Sequence, residues 1–99
     1  MPSYVFTYRQ PTGQALDMAA ADAWFKWFDD ISEHITVPGS AVSNARQLGN
    51  VEGGQSISGF TVITARYMDH AAEIAKGCPA LQQGQGLEVG ELLEVRAAA

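Results

Sequence analysis

Residues 57–65 read ISGFTVITA, residues 75–79 read AKGCP and residues 86–89 read GLEV. The first stretch is rich in β-branched and aromatic side chains, which is typical of a strand. The second contains a Gly and a Pro, the residues that commonly end a helix. The third begins another strand. This order of strand, short helix and closing strand decides the fold class.

The first half of the chain supplies one clear strand and one clear helix. Residues 4–8 are aromatic and β-branched, so we expect a strand there. Apolar residues then recur at spacings of four, three and four, which predicts a long helix from about residue 16 to residue 36. We expect Pro38 and Gly39 to end this helix. Residues 41–48 are a weaker candidate for the second strand.

The second half completes a βαββαβ order. Residues 55–66 are the surest strand, a short helix follows at about 70–76 with Asp69 as its N-cap, and residues 87–96 form the last strand. This order predicts an α+β, ferredoxin-like fold, in which two helices cover one face of a four-stranded antiparallel sheet. A chain of 99 residues is expected to be a single domain (1–99), with an ordered core of about 3–96.

The other face of this sheet is predicted to be apolar. It would carry a row such as Phe60, Val62 and Leu92, or the neighbouring residues of opposite parity. A bare apolar face of that size normally marks an interface. The sequence therefore predicts a homodimer through the sheet face, a dimeric α/β barrel.

Composition excludes several classes of partner. The formal net charge is -5 and no basic run is present, which disfavours nucleic acid and anionic membranes. No apolar run approaches the roughly 20 residues of a membrane span, and the first residues lack the pattern of a signal peptide. Cys78 is the single cysteine, so no intramolecular disulfide can form. We expect a cytoplasmic protein without nucleic-acid or membrane partners.

Several segments resemble, in their order and spacing, the YCII-related (DGPF-type) domain family. They are AWFKWF at 23–28, Pro38-Gly39, ISGF at 57–60 and AKGCP at 75–79. The resemblance covers about residues 4–96. It implies a dimeric α/β barrel with a cleft between helix and sheet.

The chain departs from the family pattern at the positions that matter for catalysis. The DGPF tetrapeptide is missing, and residues 51–54 read VEGG. Catalytic proposals for the family use a His in the first helix and an Asp before the Pro that ends the second helix. This chain has Trp24 and Cys78 near those positions. The departures weaken an enzymatic interpretation.

Three titratable residues remain as catalytic candidates: Glu91, His34 and His70. Strand alternation places Glu91 on an apolar face, where a carboxylate must be paired, protonated or near water. A bulge at Gly90 would reverse that placement, and both alternatives stay open. His34 is interpreted first as a partner of the carbonyls that end the first helix, and His70 as a solvated side chain.

Aromatic and basic residues are the candidates for ligand binding. Trp24, Phe25, Trp27 and Phe28 form a cluster wider than one core stripe needs, and part of it, with Trp24, Phe25 and Trp27 as the candidates, is suited to a flat apolar ligand. Arg9 and Arg66 end strands, where they either pair with carboxylates or hold an anion. Two histidines without a third ligand at a recognisable spacing predict no metal, and no motif indicates a cofactor.

Three functions are compatible with these patterns. The first is a homodimeric barrel that binds a small apolar or aromatic molecule. The second is a cofactor-independent enzyme, lyase-like or dehalogenase-like, which acts on a small aromatic or carbonyl compound. It requires at least two titratable groups that converge in one cleft. The third is an accessory protein-interaction module, which requires an apolar patch left exposed after dimerisation.

Overall fold

The computed structural model describes residues 1–14, 20–51 and 53–93. Its strands are β1 (Ser3–Pro11), β2 (Ile35–Ala41), β3 (Gln55–Thr64) and β4 (Gly86–Glu91), and its α-helices are α1 (Ala21–Asp30) and α2 (Met68–Ala75). Short 3-10 turns occupy Ser32–His34 and Pro79–Gln82. The strands form one antiparallel sheet in the order β2-β3-β1-β4. The predicted α+β, ferredoxin-like fold is confirmed.

The two faces of the sheet differ in burial. Along β1, Tyr4, Phe6 and Tyr8 are almost fully buried, while the alternating Val5 and Thr7 stay partly exposed. Side chains of a strand alternate between its two faces, so Tyr4, Phe6 and Tyr8 share one face. The two helices pack against this buried face. Among the residues described, the hydrophobic core comprises Tyr4, Phe6, Tyr8, Trp27, Ile31, Ile63, Ala65, Ala71, Ala75, Cys78 and Ala80.

Trp27 fixes α1 on the sheet. Its ring stacks on Phe6 with ring centroids 6.1 Å apart, and it meets Tyr8 edge to face at 6.3 Å. Aromatic pairs of this kind contribute about 0.5–1.5 kcal/mol beyond their area burial. A Cβ added at Gly77, just after α2, would lie 3.2 Å from the indole ring. The absence of a side chain at Gly77 therefore lets the chain after α2 approach Trp27.

The first helix is shorter than predicted. It ends at Asp30, and β2 begins at Ile35, so Pro38 and Gly39 lie inside a strand and do not stop the helix. Residues 35–37 are all β-branched and favour extended backbone. Proline is tolerated because β2 is an edge strand, with a neighbour on one side only. The predicted helical residues 16–19 lie outside the described residues.

The second strand was also misplaced. It was predicted at residues 41–48, but β2 ends at Ala41 and residues 42–48 have no regular structure. The β-branched residues 35–37, predicted above as helical or as the link after the helix, begin this strand. The third strand is confirmed at Gln55–Thr64, two residues shorter than predicted.

The last helix and strand differ only at their ends. The helix α2 begins at Met68 with Tyr67 as N-cap and no side-chain cap, so Asp69 lies in the first turn and is not the cap. Its carboxylate suits the positive end of the helix dipole there. The strand β4 ends at Glu91, and the predicted strand residues 94–96 lie outside the described residues. Among the described residues, no helix is long and apolar enough to cross a membrane.

Replacing Gly39 by alanine is expected to destabilise the fold by more than about 2 kcal/mol. Gly39 has a φ of +79°, and a Cβ there would collide with the carbonyl group of Phe60. Gly49 is the matched control, because its φ is +70° but nothing lies within 4 Å of its added Cβ. Gly49→Ala should cost only about 1 kcal/mol of backbone strain. Urea denaturation measures both, and equal losses would contradict the packing of β2 on β3.

Candidate functional site

A cleft of about 450 Å³ lies between α1 and the sheet. Its volume falls within the roughly 300–1,000 Å³ typical of small-molecule sites. The helix α1 forms one wall, and the strands β2 and β3 contribute the other. Residues just after the 3-10 turn at Pro79–Gln82 close one side. Part of the lining comes from α1, β2 and β3, at Ala21, Pro38, Gly39, Ala41, Gly59 and Phe60.

Aromatic side chains form the apolar wall of the cleft: Tyr8, Trp24, Phe25 and Phe28. The rings of Tyr8 and Trp24 meet edge to face with centroids 4.8 Å apart, and Trp24 lies 5.9 Å from Phe28. Phe25 is 68% exposed to solvent. Three aromatic side chains held by the core and one exposed at the cleft are suited to contact with a flat apolar molecule.

A β-bulge in β3 shapes the floor of the cleft. Tyr8 pairs with Gly59 and Arg9 pairs with Ile57, so Ser58 has no partner on β1. The extra residue turns the strand locally, which is how bulges commonly re-aim a side chain. A Cβ at Gly59 would meet the Ser40 carbonyl oxygen at 2.9 Å and the Tyr8 ring at 3.3 Å. Glycine at this position therefore lets Tyr8 and β2 close on β3 beside the cleft.

The polar side chains of the lining that the structure describes are neutral. They are Gln10, Ser40, Ser58, Gln83 and Gln85. Gln10 is 7% exposed, and its Nε2 donates to the carbonyl oxygen of Gln14 at 2.9 Å. Among the lining residues that the structure describes, none is Asp, Glu, Lys, Arg or His. The cleft thus combines aromatic rings with amide and hydroxyl groups.

Tyr8 is held in its neutral form. Its hydroxyl donates to Thr61 Oγ1 at 2.8 Å, and Thr61 Oγ1 donates to the carbonyl oxygen of Pro38 at 3.1 Å. Burial raises the pKa of Tyr8 well above its usual value, and the hydrogen bond to Thr61 opposes this only in part. The phenol therefore links β1, β3 and β2 and does not supply a charge to the cleft.

The structure divides the predicted ligand-binding residues. Trp24 and Phe25 line the cleft, whereas Trp27 is buried in the core and is absent from the lining. Arg9 lies on the opposite face of the sheet, where its Nη2 is 3.8 Å from Glu88 Oε1 at the edge of a second recess. Arg66 is exposed between β3 and α2 and lies away from both recesses.

Glu91 does not line the cleft. Pairing of β1 with β4 runs without interruption from Arg9–Gly86 to Tyr4–Glu91, so no bulge occurs at Gly90. Glu91 therefore shares the helix-covered face, as simple alternation predicts. It is exposed because it ends the strand. Burial, and secondly the charge of Glu91, raise the pKa of Tyr4.

His34 and His70 come together, although they are far apart in sequence. Their ring centroids are 5.6 Å apart and the rings are nearly perpendicular. His70 Nδ1 accepts a hydrogen bond from the Arg66 N–H at 3.1 Å, and His34 Nε2 lies 3.6 Å from Glu33 Oε1. His70 thereby satisfies a backbone donor just before α2. Neither histidine belongs to the cleft lining.

The described residues do not assemble a metal centre or a reactive thiol. They contain no group of three His, Cys, Asp or Glu side chains that could hold a metal ion. Cys78 is fully buried, and burial raises the pKa of its thiol to about 12. The thiol is therefore protonated at neutral pH and packs as a small buried side chain.

Sequence reasoning missed the polar lining of the cleft. Gln10, Gln83 and Gln85 carry no charge and no motif, and glutamine is common on protein surfaces. One signal was present. A glycine inside a strand often marks a bulge, and Gly59 follows Ser58 within the surest strand of the sequence.

Replacing Tyr8 by phenylalanine is expected to reduce the decrease in the free energy of unfolding at alkaline pH. Folding raises the pKa of Tyr8, so the neutral phenol favours the folded state. This contribution to the free energy of unfolding is fully present below the unfolded pKa of about 10 and is lost as pH rises above that value. At neutral pH the variant should lose only about 1 kcal/mol, for the hydrogen bond to Thr61. Urea denaturation across pH 7–11 measures both effects. The same alkaline slope in both proteins would contradict a buried, neutral Tyr8.

Comparison with known proteins adds no assignment to this geometry. A scan against protein-family models finds no match to the chain, and a search of curated proteins finds none either. The resemblance to the YCII-related family therefore stays a prediction from the sequence segments that carry it.

Proposed function

We propose that this protein is a homodimer that binds a small apolar or aromatic molecule in the cleft between α1 and the sheet. The observation that carries the proposal is the cleft itself, with its aromatic wall, its neutral polar groups and a volume of about 450 Å³. The resemblance to YCII-related domains supports the same site, because it implies a cleft between helix and sheet. Membership of that family and a cytoplasmic location belong to the proposal as well.

The aromatic wall can supply moderate affinity. A two-ring ligand that loses about 150 Å² of apolar surface gains about 4 kcal/mol at roughly 25 cal/mol per Å². Contacts with aromatic rings add about 0.5–1.5 kcal/mol each. Part of this gain is offset by the entropy cost of binding. A simple fragment should therefore bind with a dissociation constant on the order of 0.1 to 1 mM.

The described residues do not favour the enzyme hypothesis. Acid–base chemistry needs at least two titratable groups that converge on the ligand. Glu91, His34 and His70 all lie outside the described lining of the cleft, and the one titratable side chain within it is Tyr8, whose pKa is raised. Binding requires none of these groups. For this reason we propose a binding function and not a catalytic one.

The open face of the sheet supports a second copy of the chain as the partner. Val5, Val62 and Phe60 lie on this face by strand register and stay partly exposed, and Val37 extends the apolar row onto β2. Four strands of this length offer a face of roughly 20 by 30 Å, comparable with the about 800 Å² per subunit of a stable dimer.

The charges on this face are also compatible with a second copy. Arg9 and Glu88 lie together near one end of the apolar row. A face that carries both signs of charge is complementary to a copy of itself related by a two-fold axis. The proposed partner is therefore a second identical subunit, placed sheet against sheet.

Indole and 2-naphthol are expected to bind the cleft. Two-dimensional NMR titration should show shifts concentrated in backbone amides of α1, of residues 39–41 and of residues 58–60. Phe25→Ala should weaken binding roughly threefold to tenfold, since it removes the exposed aromatic contact. Leu48→Ala is the matched control, because Leu48 is 80% exposed and lies outside the cleft lining. Shifts confined to other surfaces, or no binding, would overturn the proposal.

Replacing Val62 by lysine is expected to separate the dimer. The charge would be placed at the centre of the open face, where its desolvation opposes association. Sedimentation velocity should give about twice the subunit mass of 10.6 kDa for the wild type and the single mass for the variant. Met68→Lys is the control, because Met68 is 41% exposed and begins α2 on the helix-covered side of the sheet, so the mass should stay unchanged. A monomeric wild type at all concentrations would contradict the homodimer and favour a different protein partner.

A further inference from the structure

We infer that the cleft selects an uncharged aromatic molecule that carries an amide-type or hydroxyl-type hydrogen-bonding group. This inference rests on the proposed binding function and adds the chemical class of the ligand. Its basis is the neutral polar set beside the aromatic wall: three glutamines and two serines, with Gln10 at 7% and Ser58 at 9% exposure.

The absence of formal charge among the described lining residues decides against an ionised ligand. A carboxylate or ammonium group that enters the cleft loses part of its hydration. No lining side chain that the structure describes offers an opposite charge in return, and Tyr8 stays neutral. A buried charge without a partner costs far more than a neutral polar group. Charged ligands should therefore bind much more weakly than their neutral isosteres.

The neutral polar groups also argue against a purely hydrocarbon ligand. A buried amide or hydroxyl group that loses water without gaining a partner costs free energy. Gln10 already uses its Nε2 on Gln14, but a carboxamide has further donor and acceptor capacity. Gln83 and Gln85 add two carboxamides from the segment after the second 3-10 turn. A ligand with its own donor and acceptor satisfies the buried Gln10 and Ser58, whereas a plain hydrocarbon that covers these groups leaves them unpaired.

The test compares the dissociation constants of benzamide, benzoate and benzylammonium for the wild-type protein. Indole serves as the probe of the cleft itself. Benzamide should bind at least roughly tenfold more tightly than either charged compound. Benzylammonium is a stringent comparison, because the net charge of -5 attracts cations to the surface as a whole. Benzoate or benzylammonium binding as tightly as benzamide would overturn the inference while indole binding leaves the proposed function standing.

A matched pair of variants tests the role of the glutamines. Gln83→Leu should weaken benzamide roughly threefold to tenfold and leave indole unchanged or slightly tighter. Gln82→Leu is the control, because Gln82 is the exposed neighbour outside the cleft lining. It should change neither affinity. An equal effect of both variants, or an equal loss of both ligands in Gln83→Leu, would contradict recognition by the lining amides. Failure of the wild-type protein to bind indole would instead contradict the proposed function.

Discussion

The packing of Trp27 between α1 and β1 is the interaction on which the rest of the structure depends. Its indole ring stacks on Phe6 and meets Tyr8, so it sets the distance between the helix and the sheet. One helical turn earlier, Trp24 meets the Tyr8 ring edge to face and packs beside Phe28. The space beyond that contact is the cleft. A single aromatic layer therefore both closes the core and leaves an opening beside it.

Polarity within the cleft follows from the backbone of the sheet. The bulge at Ser58 brings a hydroxyl group into the lining, and Gly59 lets Tyr8 and β2 approach β3 closely. The hydrogen bonds from Tyr8 through Thr61 to Pro38 then tie three strands together at this point. Burial of the phenol in this packing, and not its hydrogen bond to Thr61, keeps Tyr8 neutral. Packing and ligand chemistry thus have one physical origin in this protein.

The sequence predicted the fold well and the site poorly. The strand at 55–66 and the aromatic helix have strong periodic patterns, so the ferredoxin-like order could be read from them. The position predicted for the second strand was wrong because of Pro38 and Gly39. Both residues commonly end helices, but an edge strand also tolerates them. The lining glutamines come from distant segments and have no local signature. Only the tertiary fold brings Gln10 and Gln83 together in one cleft.

The central claim is that the space between α1 and the sheet is a binding site for an uncharged aromatic molecule. A crystal structure of the protein grown with benzamide tests this claim most directly. We predict density for the ring against Trp24 and Phe25, with its carboxamide within hydrogen-bonding distance of a lining glutamine or serine. A cleft closed by Trp24 and Phe28, with the ring absent or bound on another surface, would contradict the account.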